Sequence, residues 1–129
     1  QAVEKKELIL HSKTSTERNF ISMSDICLGI EHFLKIYENH LNGSPFNLCS
    51  EESLTIQELS QRVALRCNKV LGYTPKLINF NHDNESNFKK RLHLSTKKTK
   101  KTGLALQQNL EQEIDNTLLF CKTHFCSGS

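Results

Sequence analysis

The sequence predicts a small α/β lobe in which short strands alternate with three main helices, with some parallel pairing between strands. Three observations carry that prediction. Short apolar runs alternate along the chain with segments whose apolar residues recur at helical spacing. One of those helices opens on a complete capping box, Thr55-Ile56-Gln57-Glu58, and stops at Gly72 ahead of Pro75. A length of 129 residues suits one ordinary domain.

Taken in order, Glu7 to His11 (ELILH) predicts a first strand and SKTSTE a polar turn. Arg18 to Met23 (RNFISM) alternates polar and apolar residues, as a half-buried strand does, so the two strands predict a hairpin. Ser24 offers an N-cap, with Asp25 in the first turn, where the helix dipole favours an anion. The helix it starts runs to Asn39 or His40, with Ile26, Ile30, Phe33, Leu34, Tyr37 and Leu41 at helical spacing, and Asn42 to Pro45 ends it. Phe46 to Cys49 (FNLC) predicts a short buried strand. The capped helix follows, with Ile56, Leu59, Val63, Cys67 and Val70 as its apolar stripe and Leu54 placed to staple Leu59. Lys76 to Phe80 (KLINF) is the next strand and Asn81 to Asn87 a polar loop. A lysine-rich helical turn stops at Gly103, and Asn109 caps a last helix with Leu110, Ile114, Thr117, Leu118, Cys121 and Phe125 on its inner face.

Bulk properties narrow the function classes. Apolar residues are 36% of the chain and the formal net charge is +3. The pI is near 8.6 and the mean hydropathy −0.49. That describes a modest core, and a milder basic balance than most nucleic-acid modules carry. No stretch approaches the ~20 apolar residues of a membrane span. Five cysteines, an odd number with no CxxC, read as free thiols in a reducing, cytoplasmic setting.

Candidate chemistry is sparse. None of the six histidines pairs with another at i+4, and Cys121, His124 and Cys126 have no fourth ligand nearby, so no metal site is expected. Cys49 lies at a strand end without a nameable base, which leaves it a small buried hydrophobe. The basic run Lys89, Lys90, Arg91, Lys97, Lys98, Lys100 and Lys101 offers phosphate contacts to a nucleic acid, but only Phe88 lies near for base stacking; a solvated face is the plainer reading. GxGxxG, GxxxxGK[ST] and GxSxG are all missing. Arg18 remains, either an exposed strand-edge residue paired with Glu17 or Asp25, or a planar fork of donors for a diphosphate.

The ordered segments also resemble a known family. RNFISMSDI is similar to the R-[DN]-[FY]-I-x-V-x-D-[IV] segment of extended short-chain dehydrogenases, the NAD-dependent epimerase/dehydratase family acting on nucleotide sugars. ELILHSKTSTERNFI looks like the hairpin before it. PFNLCSEESLTIQEL, LGYTPKLINF, LSTKKTKKTGL and NLEQEIDNTLLFCKTHF resemble that family's later blocks in the same order.

The resemblance covers only the family's C-terminal substrate lobe. It implies a lobe over residues 1–126 with a tail at 127–129, lacking both the Rossmann half with its NAD or NADP and the Tyr-x-x-x-Lys catalytic pair. The parent would be an epimerase, dehydratase or reductase, and this chain alone would bind no cofactor and drive no reaction. Arg18 would hold the nucleotide-sugar diphosphate, with His11 near the base. The family's R-P-G-D phosphate loop is replaced by HDNESN, so Arg91 or Lys90 would stand in for the second phosphate arginine. Cys49 replaces a usual glycine and Leu94 a usual aspartate. The implied partners are a nucleotide-diphosphate sugar and the Rossmann domain, with no nucleic acid and no membrane, and an exposed face open to dimerisation. The rival readings are a stand-alone interaction or nucleic-acid-binding domain using the Lys89–Lys101 patch, and a degenerate regulatory homologue.

Overall fold

Side-chain caps set where two of the helices of this chain begin. The computed structural model describes residues 1–11, 16–36, 43–79 and 92–125. Their order is β1 (Glu7–Leu10), β2 (Glu17–Asn19), α1 (Met23–Lys35), β3 (Ser53–Thr55), α2 (Ile56–Leu71), β4 (Lys76–Asn79), α3 (Lys97–Lys100) and α4 (Leu110–Phe125). Among the described residues the fold is a small mixed α/β domain of four helices and short strands.

Helix α2 follows its sequence signals closely. The Thr55 hydroxyl accepts from the Glu58 N–H at 3.1 Å, and the Glu58 carboxylate accepts from the Thr55 N–H at 2.7 Å. Two of the N–H groups left free at a helix start are thus satisfied. Gly72 closes the other end at φ 79°, a left-handed conformation that glycine adopts without Cβ strain. Thr55→Ala is expected to cost about 1 kcal/mol of stability through the lost cap. A urea melt with an unmoved midpoint would place the start of α2 elsewhere.

The predicted hairpin does not form. β1 pairs in parallel with β4, setting Leu8 against Leu77 and Ile9 against Ile78, while β2 pairs antiparallel with β3. The sequence between the two strands has no Asn-Gly or Asp-Gly of the kind that closes a tight hairpin. The Leu-Ile pair of β1 instead finds a matching Leu-Ile pair in β4. The predicted Phe46–Cys49 strand is also not one. Its Asn47 carbonyl accepts from the Thr99 hydroxyl at 2.6 Å, where a strand would present it to a neighbouring strand.

Helix α1 corrects two further expectations. Its N-cap is Ser22, whose hydroxyl accepts from the Asp25 N–H at 3.1 Å; Ser24 already lies inside the helix. Its inner face carries Ser22, Asp25 and Gly29, all buried, with His32 bonded to the Thr102 hydroxyl at 2.9 Å. Gly29 is required there, since a Cβ would stand 2.7 and 2.8 Å from the two methyls of Leu48. Of the predicted stripe, Ile26 and Phe33 are half-buried, Phe33 against the Phe46 ring at 4.9 Å. Ile30 and Leu34 face outward at 55% and 81% exposure. Tyr37 and Leu41 lie outside the described residues, as do Phe80 and the Asn81–Asn87 loop.

The core forms between α2 and α4. Cys67, Leu118 and Ala2 are buried, with Val3, Leu8, Val63, Leu71 and Ile114 packed round them. Of the predicted inner face of α4, Ile114 and Leu118 turn inward, whereas Thr117 and Phe125 are exposed. The N-terminal residues are anchored by Tyr73, whose hydroxyl donates to the Ala2 carbonyl at 3.0 Å. Among the described residues no helix is long and apolar enough to cross a membrane.

Candidate functional site

Strand β2 alternates its side chains, and that alternation isolates Arg18. On one face, Glu17 accepts from the Leu92 N–H at 2.7 Å. Asn19 donates to the Ser50 carbonyl at 2.8 Å and to the Glu52 carbonyl at 3.2 Å, and accepts from the Ser50 N–H at 2.8 Å. These clamps hold the strand at its two ends. Between them Arg18, set opposite Leu54 in the β2–β3 register, is exposed.

The other two described arginines each have a carboxylate. Arg62 pairs with Glu52, and Arg66 pairs with Asp115 and Glu111. The Arg66 hydrogen bonds hold the Asp115 carboxyl below the usual carboxylate range, against the opposing effect of burial. Among the described residues Arg18 has no ion pair; Glu17 accepts from the Leu92 N–H and Asp25 from the Gln107 and Gln108 N–H groups instead. The N-terminus of α2 beside β2 is filled by its own Glu58, and Arg18 stands exposed on the neighbouring strand.

The remaining residues that the sequence singled out fall differently. His11 is exposed just past β1, on the sheet that does not contain Arg18. Lys89, Lys90 and Arg91 lie outside the described residues. In the lysine run, Lys98 donates to the Ser44 and Pro45 carbonyls and lies 4.0 Å from the centre of the Phe46 ring, while Lys100 pairs with Glu51. Both fasten α3 to the segment 44–51 that runs ahead of β3; Lys97 and Lys101 are left exposed.

A clamp centred on Asp25 is not visible in the sequence pattern. This carboxylate, 2% exposed, accepts from the Gln107 N–H at 2.6 Å and the Gln108 N–H at 3.0 Å. Gln108 takes φ 58°, unusual for a residue with a side chain, and its amide oxygen accepts from the Ser50 hydroxyl and the Glu51 N–H. The signal that finds half of this is Ser22-x-x-Asp25, which has the spacing of a helix start. Nothing local points to Gln107. Residues of the clamped segment, with Cys49, Thr99, Lys100 and Glu51, line a cavity of about 380 Å³. Its two charged residues pair with each other, and burial pushes the Cys49 thiol up, away from the thiolate that nucleophilic attack needs.

All four described cysteines are free, Cys27 exposed, Cys121 half-buried, Cys49 and Cys67 buried. No group of three or more His, Cys, Asp or Glu able to hold a metal occurs among the described residues. No family model and no curated protein matches the chain.

Proposed function

We propose that this chain is the nucleotide-sugar-binding lobe of a cytoplasmic NAD(P)-dependent epimerase, dehydratase or reductase, built as the C-terminal part of an extended short-chain dehydrogenase. The single observation that supports it most is Arg18: of three described arginines it alone has no carboxylate partner among the described residues, and the strand that carries it is braced at both ends. An exposed guanidinium on a braced strand, with no ion pair among the described residues, suits a bidentate grip on a diphosphate. In this reading a companion Rossmann half holds the nicotinamide and does the hydride chemistry. The lobe fixes the substrate against it, a contribution of positioning rather than of reacting groups.

The test is calorimetry of a nucleotide-diphosphate sugar against the two-domain protein. Arg18→Ala is expected to weaken binding by about 1.5–3 kcal/mol, the range for a charge-assisted hydrogen bond. Unchanged affinity would remove Arg18 from the site and with it the support for this function.

A further inference from the structure

The cavity walled by the clamped segment carries chemistry that the Arg18 reading leaves unused. Its volume of about 380 Å³ is near the bottom of the ~300–1,000 Å³ range of small-ligand sites. One part of its wall is apolar: Cys49 and Leu104 are buried and Leu106 is half-buried. Burial keeps the Cys49 thiol protonated, so this part carries no charge. The other part is the Lys100–Glu51 pair, with Thr96 and Gln108. The Thr96 hydroxyl makes no hydrogen bond among the described residues, and of the Gln108 amide only the oxygen is used. Leu104, Ala105 and Leu106 bring backbone to the same wall, and their N–H and C=O groups form no hydrogen bond among the described residues. Backbone groups are obligatory hydrogen-bonding groups, and these are available to a ligand.

We propose that this cavity binds a free α-amino acid with an aliphatic side chain, held as its zwitterion. The ammonium group meets Glu51 and the carboxylate meets Lys100, so four charges alternate in sign and the existing pair keeps its partners. A lone anion would face Glu51 as well as Lys100, and a lone cation would face Lys100 as well as Glu51. A ligand with both charges satisfies both side chains. The pair is 58% and 56% exposed, hence worth little to the fold, and sharing it with a ligand costs little. Thr96 and the Gln108 amide nitrogen supply further donors for the carboxylate. The aliphatic side chain lies against Cys49 and Leu104 and gains from leaving water. A charged side chain would be desolvated there without a partner, which disfavours it. The site is small and its charged end is open to solvent, so the affinity is modest. It is independent of the Arg18 reading.

Titration of L-leucine into the isotope-labelled 129-residue chain, followed by backbone amide NMR, tests it. Saturable shifts are expected at Leu104, Ala105, Leu106 and Gln108, with a dissociation constant in the millimolar range. Isocaproate and isoamylamine, each leucine with one charge removed, should bind about tenfold or more weakly, the scale of a lost charge-assisted contact. Lys100→Met and Glu51→Gln should each weaken leucine by a similar factor. Both side chains are exposed, so the circular dichroism of each variant should match the parent. Lys97→Met, at an exposed neighbour that does not line the cavity, should leave leucine binding unchanged. No saturable shift, equal affinity for leucine and either single-charge analogue, or binding indifferent to both Lys100→Met and Glu51→Gln would overturn the proposal.

Discussion

Asp25→Ala is expected to lower stability by about 3 kcal/mol, the scale of two hydrogen bonds to a buried carboxylate, and to release residues 104–108 from the body of the lobe. Asp25 joins α1 to the segment before α4, accepting from successive backbone amides more than 80 residues further along the chain. Its removal leaves the Gln107 and Gln108 N–H groups without their acceptor. It also removes part of what holds Gln108 at positive φ, a conformation with an intrinsic cost of roughly 1–2 kcal/mol, leaving the Ser50 and Glu51 contacts of its amide. Urea unfolding gives the stability loss. Amide hydrogen exchange gives the local effect, with protection falling at Gln107 and Gln108 first. Asp25→Asn, which keeps one acceptor, should fall between parent and alanine. Full protection of both amides in Asp25→Ala would mean that other contacts hold the segment.

Leu118→Ala is expected to cost about 2–4 kcal/mol, the range for emptying a packed leucine site. Leu118 is 5% exposed at the contact of α2 with α4, beside Cys67, which is fully buried. Its neighbours Val63, Leu71 and Ile114 sit on helices joined by the Arg66–Asp115 pair, so they can close only part of the space. For comparison, Leu119 is 47% exposed, and Leu119→Ala should change the midpoint by much less. Equal losses at the two positions would show that α4 packs on a different face.

The helix α2 was legible because its determinants are local: a capping box at one end and a glycine at the other, both within the helix's own span. Strand partners were not, because pairing is decided between segments far apart. Leu8 and Ile9 needed Leu77 and Ile78 to be read together with them. In α1 the period was clear but the covered side was not, since apolar spacing marks two flanks and only Gly29 against Leu48 settles which one turns inward. For the candidate site, strand character around Arg18 was readable from alternation, whereas its freedom from carboxylates depended on where Glu17 and Asp25 are spent. The Arg66–Asp115 pair bridges positions with no local motif between them.

Both sheets close over long stretches of chain, Glu7 meeting Lys76 and Glu17 meeting Thr55. During synthesis from the N-terminus, the first apolar strand must therefore wait, unpaired, until Asn79 has been made. Helix α2 needs no such delay and is the natural early nucleus. Bringing β1 to β4 is then a loop closure across the residues between them, with the entropic cost such closures carry.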